Sequence, residues 1–121
     1  VGDYDNDGDI DLLVCNLDAR PALLRNDGGN KRHWLSLRLL GTASNRDGIG
    51  AMITISADAV EQHIEHTNGG SFLSHSDARV HFGLGFNEIV DALEIQWPSG
   101  RLQRLENIPA DQFLLIKEPS P

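Results

Sequence analysis

The sequence has few residues for covalent stabilisation and few positive charges. Its 121 residues include one cysteine, Cys15, so no intrachain disulfide can form and the redox compartment is left open. Only 10 Lys and Arg stand against 18 Asp and Glu, and the net charge of −8 argues against a nucleic-acid partner or an anionic membrane surface. There is also no run of about 18 apolar residues, which a membrane helix requires. We expect neither nucleic-acid binding nor membrane insertion.

The negative charge is concentrated at the start of the chain. Residues 1–20 contain six acidic residues and one arginine, so most of the acidity is a local feature. Hydrophobic residues make up 40% of the chain, which is enough for a core in one domain of roughly 100 residues with a short extra element. The chain does not begin with Met and opens within a motif, so we expect it to be a piece of a longer protein.

Short segments of alternating polarity predict strands. Leu35, Leu37 and Leu39 share one face, while Ser36 and Arg38 lie on the other. Further strands are predicted in residues 51–57, 80–82, 93–97 and 112–117, and turns in residues 58–59, 68–70 and 98–100. The pattern favours an all-β domain, an antiparallel β-sandwich or small barrel, with a boundary to the acidic part in residues 25–30.

The segment from Ile10 to Cys15 is apolar on both faces. This pattern is typical of a strand that is covered on both sides. No period repeats within the sequence, yet such a strand is compatible with the last piece of an upstream repeat array.

The acidic segment from Asp3 to Asp11 fits the pattern Asp-x-Asp-x-Asp-Gly-x-x-Asp. Carboxylates at this spacing converge when the backbone coils round a hard cation, and Gly8 permits the sharp turn. The predicted ligands are side-chain oxygens of Asp3, Asp5, Asp7 and Asp11 and the backbone carbonyl of Asp9. Calcium is favoured over zinc, because zinc prefers nitrogen and sulfur.

The acidic loop has two other possible interpretations. An EF-hand, or a dockerin built on it, requires a bidentate acid at position 12 of the loop, where this chain has Val14, and a strand pattern follows instead of a helix. We reject that interpretation. A solvated Asp/Gly-rich turn without metal remains open.

The acidic loop resembles a known repeat. The nonapeptide, followed by Leu12-Leu13-Val14 and then by Pro21-Ala22-Leu23-Leu24-Arg25-Asn26-Asp27-Gly28-Gly29, is similar to an FG-GAP or VCBS-type repeat. The resemblance implies that Asp3, Asp5, Asp7, Asp9 and Asp11 form a calcium loop in a hairpin of one β-propeller blade. Residues 1–29 would then be the terminal part of such a repeat, with the other blades upstream.

The remaining chain resembles a second family. It carries His33-Trp34-Leu35, Ser44-Asn45-Arg46-Asp47-Gly48-Ile49-Gly50-Ala51, Phe82-Gly83-Leu84-Gly85 and Trp97-Pro98-Ser99-Gly100 in that order. These motifs resemble an ASPIC/UnbV domain over residues 30–118, leaving residues 119–121 as a tail. In the cartilage acidic protein-like family, such a domain follows FG-GAP repeats. The family has no established catalytic residues to transfer.

Three other groups carry weaker chemical signals. Residues 74–77 (Ser-His-Ser-Asp) have the residue types of a hydrolase triad but no nucleophile elbow. His63 and His66 would point to opposite faces of a strand, which disfavours a shared metal. Residues 44–47 are expected to serve the architecture, with a ligand-binding loop as the alternative.

The sequence therefore predicts a non-enzymatic, calcium-binding β module in adhesion or protein interaction. Calcium chemistry and the resemblance together imply a secreted, cell-surface or periplasmic location and an extracellular protein or glycan partner. The alternative is an accessory carbohydrate-binding or positioning domain of a larger secreted enzyme. Trp34 and Trp97 are expected to pack in the core or at an edge rather than to form a sugar platform.

Overall fold

The computed structural model describes residues 1–70 and 72–120, which form an all-β structure. Over this part of the chain, no helix has the length and apolar character needed to cross a bilayer. Gly29–Lys31 forms one 3₁₀ turn. The strands are β1 (Leu12–Val14), β2 (Ala22–Leu24), β3 (His33–Leu40), β4 (Met52–Ala57), β5 (Val60–Glu65), β6 (Val80–Gly85), β7 (Ile89–Gln96), β8 (Leu102–Pro109) and β9 (Gln112–Lys117).

The strands of the main domain form two sheets. One has three strands in the order β6-β3-β9, and the other has four in the order β5-β4-β7-β8. Pairing is antiparallel except between β3 and β9, which run parallel in register Leu35↔Gln112. Neither sheet closes on itself in the described residues, so the predicted β-sandwich is confirmed over the small barrel. Strands β1 and β2 form a separate hairpin.

The core lies between the two sheets because alternate residues of the central strands point inward. Leu35, Leu37 and Leu39 are at most 1% exposed, which confirms their predicted inward face. The other fully enclosed apolar side chains, at most 1% exposed, are Ala51, Ile53, Ile55, Phe82, Val90, Leu93, Ile95 and Trp97. Both sheets thus contribute to one apolar cluster.

Two strands differ from the sequence prediction. Strand β8 was not predicted, because its apolar residues Leu102, Leu105 and Ile108 recur every third position rather than every second. As an edge strand, β8 is paired only with β7, and its residues are largely exposed. Strand β1 is shorter than the predicted strand, and Leu13 remains 59% exposed.

A buried carboxylate closes one end of the sandwich. Glu118 follows β9 and is 1% exposed. Its Oε2 accepts the backbone N–H groups of Thr42, Ala43 and Ser44 at 2.7, 2.8 and 2.8 Å. Its Oε1 accepts the hydroxyls of Ser44 and Ser99 at 2.9 and 2.5 Å. Burial alone would raise the pKa of Glu118, but these hydrogen bonds hold it far below its usual range.

We expect Glu118→Gln to lower the Tm at neutral pH by several degrees, because an amide replaces a charged acceptor of five donors. The folded-state pKa of Glu118 lies below its ordinary value of 4.5, so its stabilisation is complete above that pH and is lost as the pH falls toward the folded pKa. The Tm difference from wild type should therefore shrink below about pH 4.5. Thermal melts from pH 3 to 8 measure this.

Glu88→Gln is the matched control, because Glu88 is exposed. Its Tm should follow that of the wild type at every pH. A Tm difference for Glu118→Gln that does not change with pH would contradict the assignment of the stabilisation to the ionised carboxylate.

Candidate metal centre

Three carboxylates of the acidic loop converge. One oxygen from each of Asp3, Asp5 and Asp11 lies within 4.8 Å of the others. Paired backbone hydrogen bonds between Gly2 and Asp11, at 3.2 and 2.8 Å, join the two ends of the loop. Because calcium–oxygen distances are about 2.3–2.6 Å, a single ion can contact all three oxygens. The structure thus brings together three of the five predicted ligand residues.

Asp3 organises the turn of the loop. It is 6% exposed, and its Oδ1 and Oδ2 accept the N–H groups of Asp7 and Gly8 at 3.1 and 3.0 Å. The next N–H along the chain, that of Asp9, donates to Oδ1 of Asp7 at 3.1 Å. The spacing of the acidic residues therefore lets side chains satisfy the backbone of their own turn.

Asp11 joins the loop to the hairpin that follows. Its Oδ2 accepts the N–H of Tyr4 and its Oδ1 accepts the N–H of Asn26, both at 2.9 Å. The hydrogen bonds from Asn26 and Tyr4 lower the pKa of Asp11. This carboxylate is therefore held ionised and in place.

Asp5 has the opposite electrostatic environment. Desolvation raises its pKa, and the neighbouring carboxylates of Asp7 and Asp11 raise it further. The Arg25 guanidinium lies 3.9 Å from Oδ2 of Asp5 and only partly offsets these effects. Desolvation and the neighbouring acids thus both disfavour the ionised form of Asp5, and a nearby cation would favour it.

Asp7 and Asp9 lie outside the convergent group. The carbonyl of Asp7 accepts the amide of Asn30 at 3.0 Å. Asp9 is 2% exposed, and its Oδ2 accepts the N–H of Gly29 at 3.1 Å. Its Oδ1 is buried without a hydrogen-bond partner in the described part of the chain. The ligand roles of Asp7 and Asp9 stay predictions.

The residues present fit a hard divalent cation. All three candidate metal-ligand atoms are carboxylate oxygens. Asp3 and Asp11 are buried, and hydrogen bonds from backbone N–H groups fix their carboxylates. The buried Oδ1 of Asp9 leaves a further acceptor in the same loop without a donor. Oxygen-only donor sets suit calcium or magnesium better than zinc.

The loop packs on the outer face of the three-stranded sheet. Gly8 has φ +97°, and a Cβ built there would lie 2.1 Å from the Trp34 indole. Trp34 stacks on His81 of β6 with ring centroids 5.9 Å apart and contacts Phe113 of β9 at 4.9 Å. Gly8 is therefore required for the turn and for its close approach to the sheet.

Arg79, just before β6, connects the loop to the sandwich by hydrogen bonds. Its Nη2 donates to the carbonyl of Asp3 at 2.8 Å, and its Nη1 donates to Oδ1 of Asn6 at 2.7 Å. On the sandwich side its Nε donates to Asp77 at 2.7 Å, and the guanidinium lies 4.7 Å from the Phe113 ring centroid. One side chain thus contacts both parts of the molecule.

The positions of Trp34 and Arg79 beside the loop were not predicted from the sequence. Both residues are distant from the acidic motif in the chain, and no local spacing relates them to it. Ser36, which was predicted to lie on the polar face of β3, is also buried, at 3% exposed. The outer face of this sheet is covered where the sequence predicted exposure.

The groups with weaker chemical signals are engaged in local contacts. Ser74 Oγ donates to the carbonyl of Phe72 at 3.2 Å, whereas the carboxylate of Asp77 binds Arg79. Ser74 and Asp77, two residues of the possible triad, therefore form hydrogen bonds with different partners. The absence of catalysis stays a prediction.

The two histidines lie in different environments. His63 is exposed on β5, with Nδ1 2.9 Å from the hydroxyl of Thr54. His66 is 4% exposed, and its Nε2 lies 3.0 Å from the carbonyl of Asp47. Burial lowers the pKa of His66 despite this hydrogen bond. The pair does not form a metal-binding group in the described residues.

Polar side chains of residues 44–47 contact their own scaffold. Asn45 accepts the N–H of Ile49 at 2.8 Å and donates to its carbonyl at 2.7 Å. Asp47 pairs with Arg38 at 2.8 Å, rather than with Arg46 beside it. Together with the contact of Ser44 to Glu118, these hydrogen bonds favour the architectural interpretation over a ligand-binding loop.

Both tryptophans pack inside the structure. Trp97 is 1% exposed, and its Nε1 donates to Oε1 of Gln103 at 3.0 Å. Trp34 is 8% exposed beneath the acidic loop. The predicted packing roles are confirmed, and neither indole presents an open face for a sugar.

The fold and the loop define a small all-β sandwich module with an acidic loop packed on its smaller sheet. The family model described as "ASPIC and UnbV" matches residues 41–121. Because this match covers more than half of the chain, the chain belongs to the ASPIC and UnbV family. Human cartilage acidic protein 1 is 29% identical over 106 residues, which are 84% of this chain and 16% of that protein. The chain thus spans a small part of this relative's length.

We expect Gly8→Ala to lower the free energy of unfolding by about 2 kcal/mol, because the left-handed φ and the clash with Trp34 both oppose a Cβ. Urea unfolding measures the loss, and a shift of Trp34 emission toward that of exposed tryptophan would report movement of the loop. Gly69→Ala is the control, since nothing lies within 4 Å of a Cβ there. Equal stability of the two variants would contradict the close packing of Gly8.

Proposed function

We propose that this protein is a calcium-binding, non-enzymatic β module that mediates protein interaction or adhesion outside the cytoplasm. The observation that carries the proposal is the convergence of Asp3, Asp5 and Asp11 within 4.8 Å. Two of the three are buried, and backbone N–H groups orient them before any ion binds. Such preorganisation lowers the ordering cost of binding.

Calcium would have a structural role. When bound, it would supply positive charge that offsets the desolvation and the repulsion that raise the pKa of Asp5. The chain's own contribution is to hold Asp3 through the N–H groups of the turn and Asp11 through the N–H of Asn26, just after the hairpin. A loop of this kind would keep the hairpin fixed to the sandwich while calcium is bound.

The proposed location follows from calcium chemistry. Extracellular calcium modules commonly bind at roughly 10⁻⁴ to 10⁻³ M, a range that suits calcium levels outside the cytosol. We therefore propose a secreted, cell-surface or periplasmic protein.

The proposal includes an FG-GAP/VCBS-type identity for residues 1–29. Its support is the order of elements, because the acidic loop leads directly into the antiparallel β1–β2 hairpin in register Leu12↔Leu24. Leu13 and Leu24 of the hairpin are 59% and 55% exposed, as expected for a strand pair that packs with further strands.

A protein partner is favoured over a glycan. The burial of both tryptophans removes the two indole faces that a carbohydrate platform could have used. A loop held in place by calcium would instead provide a stable surface for contact with another protein. We place the module among interaction domains for this reason.

Calcium should stabilise the protein against heat, because a ligand that binds only the native state raises stability by mass action. At 100 times the Kd the expected gain is about 2.7 kcal/mol. Thermal unfolding is to be compared in calcium, in magnesium and in chelator. Asp5→Asn should lose most of the calcium shift, since it removes one of the three converging carboxylates.

Asp58→Asn is the matched control, because it removes the same charge from the exposed β4–β5 turn. Its calcium shift should equal that of the wild type. An unchanged wild-type Tm on adding calcium would refute the calcium proposal. An equal calcium shift in Asp5→Asn would refute the assignment of Asp5.

A further inference from the structure

We propose that Arg79 is a positioning residue that couples cation binding in the acidic loop to the stability of the sandwich. The inference rests on the calcium site proposed above and adds a regulatory link between that site and the domain. Within the described residues, Arg79 forms no hydrogen bond with the three converging carboxylates. It contacts the loop through the backbone carbonyl of Asp3 and through the side chain of Asn6.

The guanidinium joins the two parts of the molecule with fixed geometry. Nη1 bonds Asn6 of the loop, Nη2 bonds the carbonyl of Asp3 and also pairs with Asp77, and Nε bonds Asp77 on the sandwich side. The arginine side chain is only 22% exposed, and it lies over Phe113. A planar fork can satisfy these acceptors together, whereas a lysine ammonium on a flexible stem cannot reproduce the same directions.

The loop residues that Arg79 contacts shape the ligand group. The carbonyl it binds belongs to Asp3, whose carboxylate is one of the three converging groups. Asn6 has φ +59° at the tip of the turn, a conformation that its contact with Arg79 supports. Loss of this contact would leave the start of the loop free to move away from the convergent geometry.

The charge of Arg79 and its positioning role have opposite expected effects on calcium affinity. A positive group beside the loop repels a bound cation, so removing that charge would by itself strengthen calcium binding. Loss of positioning would weaken it. Arg79→Lys keeps the charge and loses the fork, which isolates the positioning effect.

Coupling of this kind is reciprocal. If Arg79 lets the folded sandwich favour the binding-competent loop, then calcium in the loop must favour the folded sandwich by the same factor. Trp34 provides a second contact along the same route, because it packs under Gly8 and against strands β6 and β9. The effect of calcium should therefore reach the three-stranded sheet.

The test is calorimetric titration of the whole chain with calcium chloride. Arg79→Lys should raise the Kd about tenfold, which corresponds to about 1.4 kcal/mol. Arg104→Lys is the matched control, because Arg104 bonds Glu94 and Glu106 on the other sheet at 2.6 and 2.9 Å. Its Kd should equal that of the wild type.

A second variant tests the contact from the loop side without altering the sandwich. Asn6→Gly removes the acceptor for Nη1 and tolerates the positive φ. It should also weaken calcium binding, and the double variant with Arg79→Lys should lose less than the two single effects together, because both remove one contact.

Hydrogen exchange supplies a readout that a general loss of stability would not reproduce. Calcium should slow amide exchange in β3 and β6 of the wild type and of Arg104→Lys. In Arg79→Lys, at a calcium concentration that saturates the loop, this added protection should be reduced. Retention of the full protection in Arg79→Lys would overturn the coupling.

The outcomes separate the two proposals. No calcium binding by the wild type would overturn the proposed function and this inference with it. Calcium binding by the wild type with an unchanged Kd in Arg79→Lys would overturn this inference alone. An equal loss in Arg104→Lys would also overturn it, because the effect would then not depend on the contact with the loop. Tighter binding in Arg79→Gln would overturn it as well, because removal of the charge would then outweigh the loss of positioning.

Discussion

Packing of the acidic loop against the outer face of the three-stranded sheet is the contact on which the arrangement of the candidate site depends. A turn built from five aspartates accumulates repulsion, and its side chains offset part of it by accepting backbone N–H groups. That internal order still needs a support. Trp34 supplies an apolar surface for Gly8, and Arg79 supplies hydrogen bonds to the loop backbone.

Glu118 is a second buried carboxylate whose charge is stabilised by hydrogen bonds from the protein. Glu118 is buried and charged, yet five donors from Thr42, Ala43, Ser44 and Ser99 satisfy it within the protein. Asp5 has no comparable set of donors and carries a raised pKa. The contrast distinguishes an acidic group that completes the fold from one that remains available for a cation.

The sandwich and the N-terminal segment of residues 1–29 differ in how they are stabilised. The sandwich has a continuous apolar core between its sheets. The β1–β2 hairpin has no such core of its own, with Leu13 and Leu24 largely exposed, and its link to the loop passes through Asp11. Membership in the ASPIC and UnbV family accounts for residues 41–121, whereas the role of the acidic segment rests on its own chemistry.

Alternation and ligand spacing are local properties, so the all-β class, the inward face of β3 and the acidic residues of the candidate site could be predicted from the amino-acid sequence. Tertiary structure decided which aspartates converge, the parallel pairing of β3 with β9 and the insertion of Trp34 beneath Gly8. It also recruited Arg79 from a distant segment. No local pattern encodes these contacts, since they arise only when strands far apart in the chain pack together.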